Sequence, residues 1–197
     1  MTDENILAAR AKNGDTEAFE ELVLLYQNKV YRLALRMCGN SHDAEEAAQE
    51  AFLAAWRGLP SFRGESRFST WLYQLTSHAA LDLLRREKRH SGTVPIEDQV
   101  SLAAEGTPQQ DAENEELRES LQKALMALTP EHRQIFLLRQ MQQMSYEEIG
   151  GMLGLEIGTV KSRLNRAKKQ LRQILLQQGN LLPFPSVKEV KRREQDV

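Results

Sequence analysis

Cys38 is the chain's one cysteine in 197 residues, so no disulfide can form within it. The same scarcity rules out a thiolate metal cluster and fits a reducing compartment. Long apolar runs are missing too. Ala51–Trp56 is about the longest, far short of the roughly 20 residues that cross a bilayer, so no membrane insertion is expected. The opening MTDENILAARAKNGD has no basic stretch followed by an apolar one, so no secretory signal is expected and a cytoplasmic location is. Strand-like alternation is scarce, and no glycine-rich phosphate loop appears. His42, His78, His90 and His132 are scattered along the chain. No convergent catalytic constellation emerges from them, so an enzyme is not expected, and neither is a cofactor.

What is present is helix punctuation and an uneven charge. The net charge of -2 conceals two basic segments around an acidic one. Residues 61–90 carry six bases and three acids, residues 91–119 one base and eight acids, and Met144–Arg172 again six bases and three acids. Asn13-Gly14-Asp15 breaks a short first helix and supplies Asp15 as a cap for the next. The second helix reads through Phe19, Leu22, Val23, Tyr26, Val30, Leu33 and Met37 to a C-cap at Gly39. Ser41 is placed to cap a third helix that ends at Gly58-Leu59-Pro60, and a fourth runs from about Phe68 to Arg89. Periodicity fails over SGTVPIEDQVSLAAEGTPQQ, a linker by composition. It returns from Ala112, with Leu117, Leu121, Leu125 and Leu128 assigned to one face, and restarts at Thr129-Pro130. The expected fold is all-α. Two small helical domains, residues 1–90 and 112–178, flank a flexible linker at 91–111, and the tail 179–197 is left without a role.

Within MSYEEIGGMLGLEIGTVKSRLNRAKKQLR, Ser145 and Glu148 match a capping box, and Gly154 suits a left-handed corner. Val160, Leu164, Ala167 and Leu171 step by four, three and four, which at about 100° per residue gives one narrow apolar stripe. Lys161, Ser162, Asn165, Arg166, Lys169 and Arg172 are rotated away from it. A helix-turn-helix that reads duplex DNA needs this division; a solvated hairpin of a bundle would also carry outward charge. Six of the twelve aromatics lie between Phe52 and Tyr73, just before Arg85-Arg86-Glu87-Lys88-Arg89. Aromatic faces beside a basic strip suit single-stranded nucleic acid. Phe52, Trp56 and Trp71 are assigned to the core, and Phe62, Arg63 and Ser66 to a loop that can touch a partner. Asp43, Glu45, Glu46, Gln49 and Glu50 give the third helix an acidic side, read either as a protein-docking face or as solvated surface. Glu46 and Glu50 are four apart, but no histidine joins them on the helix, so no metal is expected.

Two stretches carry a family resemblance. SHDAEEAAQEAFLAAWRGLPSFRGESRFSTWLYQLTSHAALDLLRREKR resembles region 2 of the extracytoplasmic-function (ECF) sigma factors of bacteria, and LTPEHRQIFLLRQMQQMSYEEIGGMLGLEIGTVKSRLNRAKKQLR resembles their region 4. The resemblance implies a subunit that directs core RNA polymerase to promoters. It implies that Asp43, Glu46, Gln49, Glu50 and Phe52 dock on polymerase. It implies that Phe62, Arg63, Ser66, Trp71, His78, Arg85 and Arg86 belong to the part that melts the minus-ten element and captures a flipped base. Lys161, Ser162, Asn165 and Arg166 fall on the minus-thirty-five reading positions, with Arg163 and Lys168 on backbone phosphates. Partners implied are core polymerase, promoter DNA as duplex and melted strand, and an anti-sigma factor. His78 stands where many members have asparagine, Ala47-Ala48 replaces a more usual acidic-aliphatic pair, and the tail after Gly179 has no counterpart. The alternative is a conventional helix-turn-helix regulator, since response-regulator output domains share the LTPxxR and GTVKxxL elements. Those usually follow an α/β domain, and no alternating strand–helix pattern precedes this one.

Overall fold

The computed structural model describes residues 3–90 and 108–177, all of them helix or connection with no strand among them. The helices are α1 (Asp3–Lys12), α2 (Thr16–Cys38), α3 (Ser41–Gly58), a 3-10 turn (Leu59–Ser61), α4 (Phe68–His90), α5 (Pro108–Met126), α6 (Pro130–Gln140), α7 (Tyr146–Leu153) and α8 (Ile157–Gln177). Most of the expected linker and the whole expected tail lie outside the described residues. The helical segment after the linker begins at Pro108, four residues before the expected start. Proline at a first helical position loses no hydrogen bond, so it opens the helix and does not belong to the linker.

Local chemistry sets most boundaries. Asp15 caps α2 by accepting from the Ala18 N–H at 3.0 Å. That bond, with the Arg10 guanidinium behind it, lowers the Asp15 carboxyl below its usual range. Gly39 ends α2 at φ 91° with its N–H on the Leu35 carbonyl. The cap of α3 is Asn40, not Ser41: the Asn40 side chain accepts from the Asp43 N–H at 2.9 Å, and Ser41 is already helical. Asparagine tolerates the extended backbone of that position and offers the same acceptor geometry.

Ala44, Ala47, Ala51 and Ala55 form the buried stripe of α3, and small side chains there let α2 and α4 approach closely. Ala51 and Ala55 share a core with Leu7, Ala8, Leu22, Val30, Leu59, Phe68 and Leu72, while Ala44 and Ala47 belong to a second one. Trp56 lies one position past the stripe, about 100° around the helix. It is 41% exposed and leans on Phe19 at 4.9 Å between ring centroids, so it is not the core residue expected. Leu117 is 51% exposed for a related reason. Steps of four advance by about 40° each, so Leu117 is rotated well away from buried Leu125, and Leu128 lies past the end of α5.

A second core runs without a break from the C-terminal half of α2 and from Ala80 and Leu81 of α4 into α5–α8. Polar keys fix this junction. Arg133 is buried and donates to the Leu125, Met126 and Leu128 carbonyls at 3.0–3.2 Å and to the Met37 carbonyl. One guanidinium thus satisfies the open C-terminal carbonyls of two helices, and burial pulls its pKa down to about 10. Gln122 accepts from Arg36 and donates to the Leu35 carbonyl, and Gln74 donates to the Met152 carbonyl at 2.9 Å. A β-carbon at Gly39 would lie 2.7 Å from the Met126 sulfur, so this glycine serves the junction as well as the turn.

Candidate nucleic-acid and polymerase surfaces

The α7–α8 pair is a capped helix-turn-helix. Ser145 accepts from the Glu148 N–H at 3.0 Å, and the Glu148 carboxylate accepts from the Ser145 N–H at 2.7 Å, a complete capping box. Gly154 turns the corner at φ 64°. Gly150, which the sequence did not single out, is equally required. A β-carbon there would lie 2.8 Å from the Leu155 carbonyl oxygen, whose own N–H donates to Gly150 at 2.9 Å. Val160, Leu164, Ala167 and Leu171 are buried on the expected stripe. Lys161, Ser162, Asn165, Arg166 and Lys168 are exposed on the other side. The Lys161 ammonium sits 5.5 Å from the Tyr146 ring centroid, whose ring also meets the Arg139 guanidinium at 4.9 Å. Tyr146 so restrains the Lys161 ammonium through its π face. Arg163 differs from its neighbours. It is half-buried and lines a cleft with His78, Asp82 and Arg85 of α4 and Glu131 of α6.

Around the 62–67 loop the aromatics form one cluster. Phe62 stacks on Trp71 at 4.9 Å and 26°, and both rings meet the edge of buried Phe68. Phe62 and Trp71 are half-buried, while Arg63, Ser66 and His78 are exposed. Arg63 pairs with exposed Glu65 at 3.8 Å, a contact that water screens. Arg85 pairs with Asp82 at 3.2 Å, and Arg86 reaches Glu46 at 4.0 Å. A second group of cations escaped the sequence reading. Lys29 and Arg32 of α2 converge with Arg67 at the end of the loop on a cleft of about 500 Å3, lined also by Ser69, Thr70 and Tyr73 and, from the other helical group, by Met141, Gln142, Gln143, Met144 and Glu148. The packing of α2 against α4 brings the three cations together. The spacing of Lys29 and Arg32, three apart on one exposed face, was the one signal in the sequence.

On α3, Glu46, Gln49 and Glu50 are exposed and Phe52 is half-buried. Asp43 is turned inward: it is 8% exposed and accepts from the Asn40 side-chain amide at 2.7 Å. Burial, then the Asp43 carboxylate beside it, raises the Glu87 carboxyl above its usual range. The acidic stripe is interrupted by Leu53, 41% exposed, which shares a shallow groove with Glu46, Gln49, Glu50 and Arg86. A bare leucine amid carboxylates suits a protein partner better than it suits water. No group of three or more potential metal ligands occurs among the described residues, and none of their helices is long and apolar enough to cross a membrane.

Comparison with known proteins finds a match for each helical group. The model of Sigma-70 region 2 matches residues 22–90, and that of Sigma-70 region 4 matches residues 118–171. The chain is 34% identical over 174 residues to the ECF RNA polymerase sigma factor SigW of Bacillus subtilis, covering 84% of this chain and 93% of that protein. It is 35% identical over 182 residues to the ECF RNA polymerase sigma-E factor of Escherichia coli K12, covering 87% and 93%. Among solved structures, the sigma factor RpoE of Bartonella quintana, in complex with the anti-sigma factor NepR, is similar with a TM-score of 0.65 and 27% identity. That alignment covers 80% of this chain and 96% of that one. With both sigma regions matched in order and relatives aligned over nearly their whole lengths, the chain belongs to the extracytoplasmic-function sigma factors of bacterial RNA polymerase.

Proposed function

We propose that the chain joins core RNA polymerase in the cytoplasm, grips duplex promoter DNA with α7–α8, and holds the melted minus-ten strand along the 62–67 loop and α4. One observation supports this division most. The chain carries a capped, glycine-cornered helix pair with its donors facing out and, on separate helices, a stacked aromatic loop bordered by open cations. Residues 1–90 form the polymerase-docking and melting unit and residues 112–178 the minus-thirty-five unit, with 91–111 between them. The protein performs no chemistry itself; polymerase makes the phosphodiester bonds. Glu46, Gln49, Glu50, Phe52 and the exposed Leu53 form the polymerase-facing surface, and Asp43 acts from inside by ordering the start of α3.

Lys161, Ser162, Asn165 and Arg166 read base edges, with Lys168 on phosphate. Arg163 reaches phosphate only when α8 has moved away from Asp82 and Glu131. Phe62, Trp71 and His78 meet the captured base and its neighbours, while Arg63, Ser66, Arg85 and Arg86 hold the strand. Lys29, Arg32 and Arg67 extend that phosphate track past the loop. An anti-sigma factor is the expected protein antagonist, in keeping with the complex in which the Bartonella quintana relative was solved. The deciding experiment is run-off transcription with core polymerase on a promoter library, with and without the protein. Promoter-dependent transcripts are expected only with it. Duplex binding without any such transcript would instead favour a conventional helix-turn-helix regulator.

A further inference from the structure

Helix α1 precedes the part of the chain matched to sigma region 2, which begins at residue 22. Three of its polar side chains nevertheless converge on the two ends of the 62–67 loop. Lys12 Nζ donates to the Phe62 carbonyl at 2.7 Å. At the far end, the Asn5 side-chain oxygen accepts from the Phe68 N–H at 3.2 Å. The Glu4 carboxylate accepts from the Ser69 N–H at 3.1 Å and from the Ser69 hydroxyl at 3.4 Å. Phe68 and Ser69 open α4, so their N–H groups are among those a helix leaves without internal partners. The caps come here from another helix, some 60 residues away in sequence.

The anchor itself is fixed. Leu7, Ala8 and Ala11 bury one side of α1, and the Tyr26 hydroxyl donates to Glu4. Burial, followed by the Glu4 hydrogen bond and charge, pushes the Tyr26 phenol far above its ordinary value, which keeps it a donor. Within the loop the contacts are weak by comparison. Gly64 adopts φ 71° with open space around it, Ser66 Oγ meets the Arg67 carbonyl at 3.4 Å, and Arg63 and Glu65 are exposed. The loop's shape is therefore set from its ends. Ordering a free segment costs backbone entropy at every residue, and a loop already held in place does not incur that cost when a base arrives.

We propose that α1 is a brace for the base-capturing loop, with Lys12, Asn5 and Glu4 as positioning residues that preorganise it without touching DNA. The inference rests on the reading of that loop as the element that takes the flipped base. The test compares holoenzyme binding to two premelted promoters taken from the run-off library. They differ only in whether the captured nucleotide is intact or abasic. Lys12 is exposed, so Lys12→Met leaves folding intact, and Lys12→Arg keeps a donor. Wild type and Lys12→Arg should prefer the intact strand. Lys12→Met and Asn5→Ala should lose that preference by roughly three- to tenfold, the effect of one hydrogen bond, through weaker binding of the intact strand alone. Equal weakening on both strands would mark Lys12 as a phosphate contact and overturn the brace. An undiminished preference in both variants would overturn it as well. Wild type indifferent to the abasic site would instead overturn the reading of the loop, and the brace with it.

Discussion

Among the described residues Lys161 and Arg166 make no ion pair, and both point away from the buried stripe of α8. Base contacts of this kind contribute about 1–3 kcal/mol of discrimination each. Lys161→Ala and Arg166→Ala are therefore expected to relax minus-thirty-five preference by that amount, measured by binding to a panel of single-base variants. Uniform weakening across the panel would mark them as phosphate clamps. Lys29, Arg32 and Arg67 make the opposite prediction. Replacing all three with alanine should flatten the salt dependence of binding to the melted strand by about 0.7 per lost phosphate contact, leaving base preference intact. Glu87 supplies a pH test. Its folded pKa is raised above the reference 4.5, chiefly by burial, so its ionised form opposes folding. The stability this group contributes is full below pH 4.5 and is lost as pH rises through the folded value. Glu87→Gln should raise the Tm at pH 7, and the gap should close at pH 4. The outward residues of α8 were legible in the sequence because helical phase alone decides them. Asp43 was not. Its acidity resembled that of Glu46 and Glu50, and only the Asn40 cap, three residues before it, turns it inward.

At the scale of elements, two neighbouring glycines in α7 separate backbone necessity from composition. Gly150 faces the Leu155 carbonyl at 2.8 Å, whereas Gly151 has open space. Gly150→Ala must force the corner apart, at about 1–3 kcal/mol, and should weaken duplex binding. Gly151→Ala should be neutral or stabilising by up to about 1 kcal/mol, since alanine favours helix. Urea titration of both variants checks the contrast. Arg133→Met would leave several helix-end carbonyls unpaired and should cost about 2–4 kcal/mol in the same assay. Helix limits were readable at Asp15, Gly39, Thr129 and Ser145, but not at Asn40 or Pro108, where the cap and the opening proline lay outside the expected bounds. The capping of α4 by Glu4 and Asn5 was not, because those partners are joined by tertiary packing and not by sequence spacing.

At the scale of the whole molecule, the all-α class followed from periodicity and punctuation. The junction between the two helical groups did not follow, since its determinants are single polar contacts such as Gln74 to Met152 and Arg133 to Met37. Those contacts gather His78, Arg85 and half-buried Arg163 at one cleft between the helical groups. The central claim, that this chain chooses where polymerase starts, is tested most directly by run-off transcription from a promoter library with core RNA polymerase. The account predicts discrete transcripts that appear only when the protein is added and shift in sequence preference with Lys161→Ala. Transcription unchanged by the protein, while it still binds duplex DNA, would contradict it.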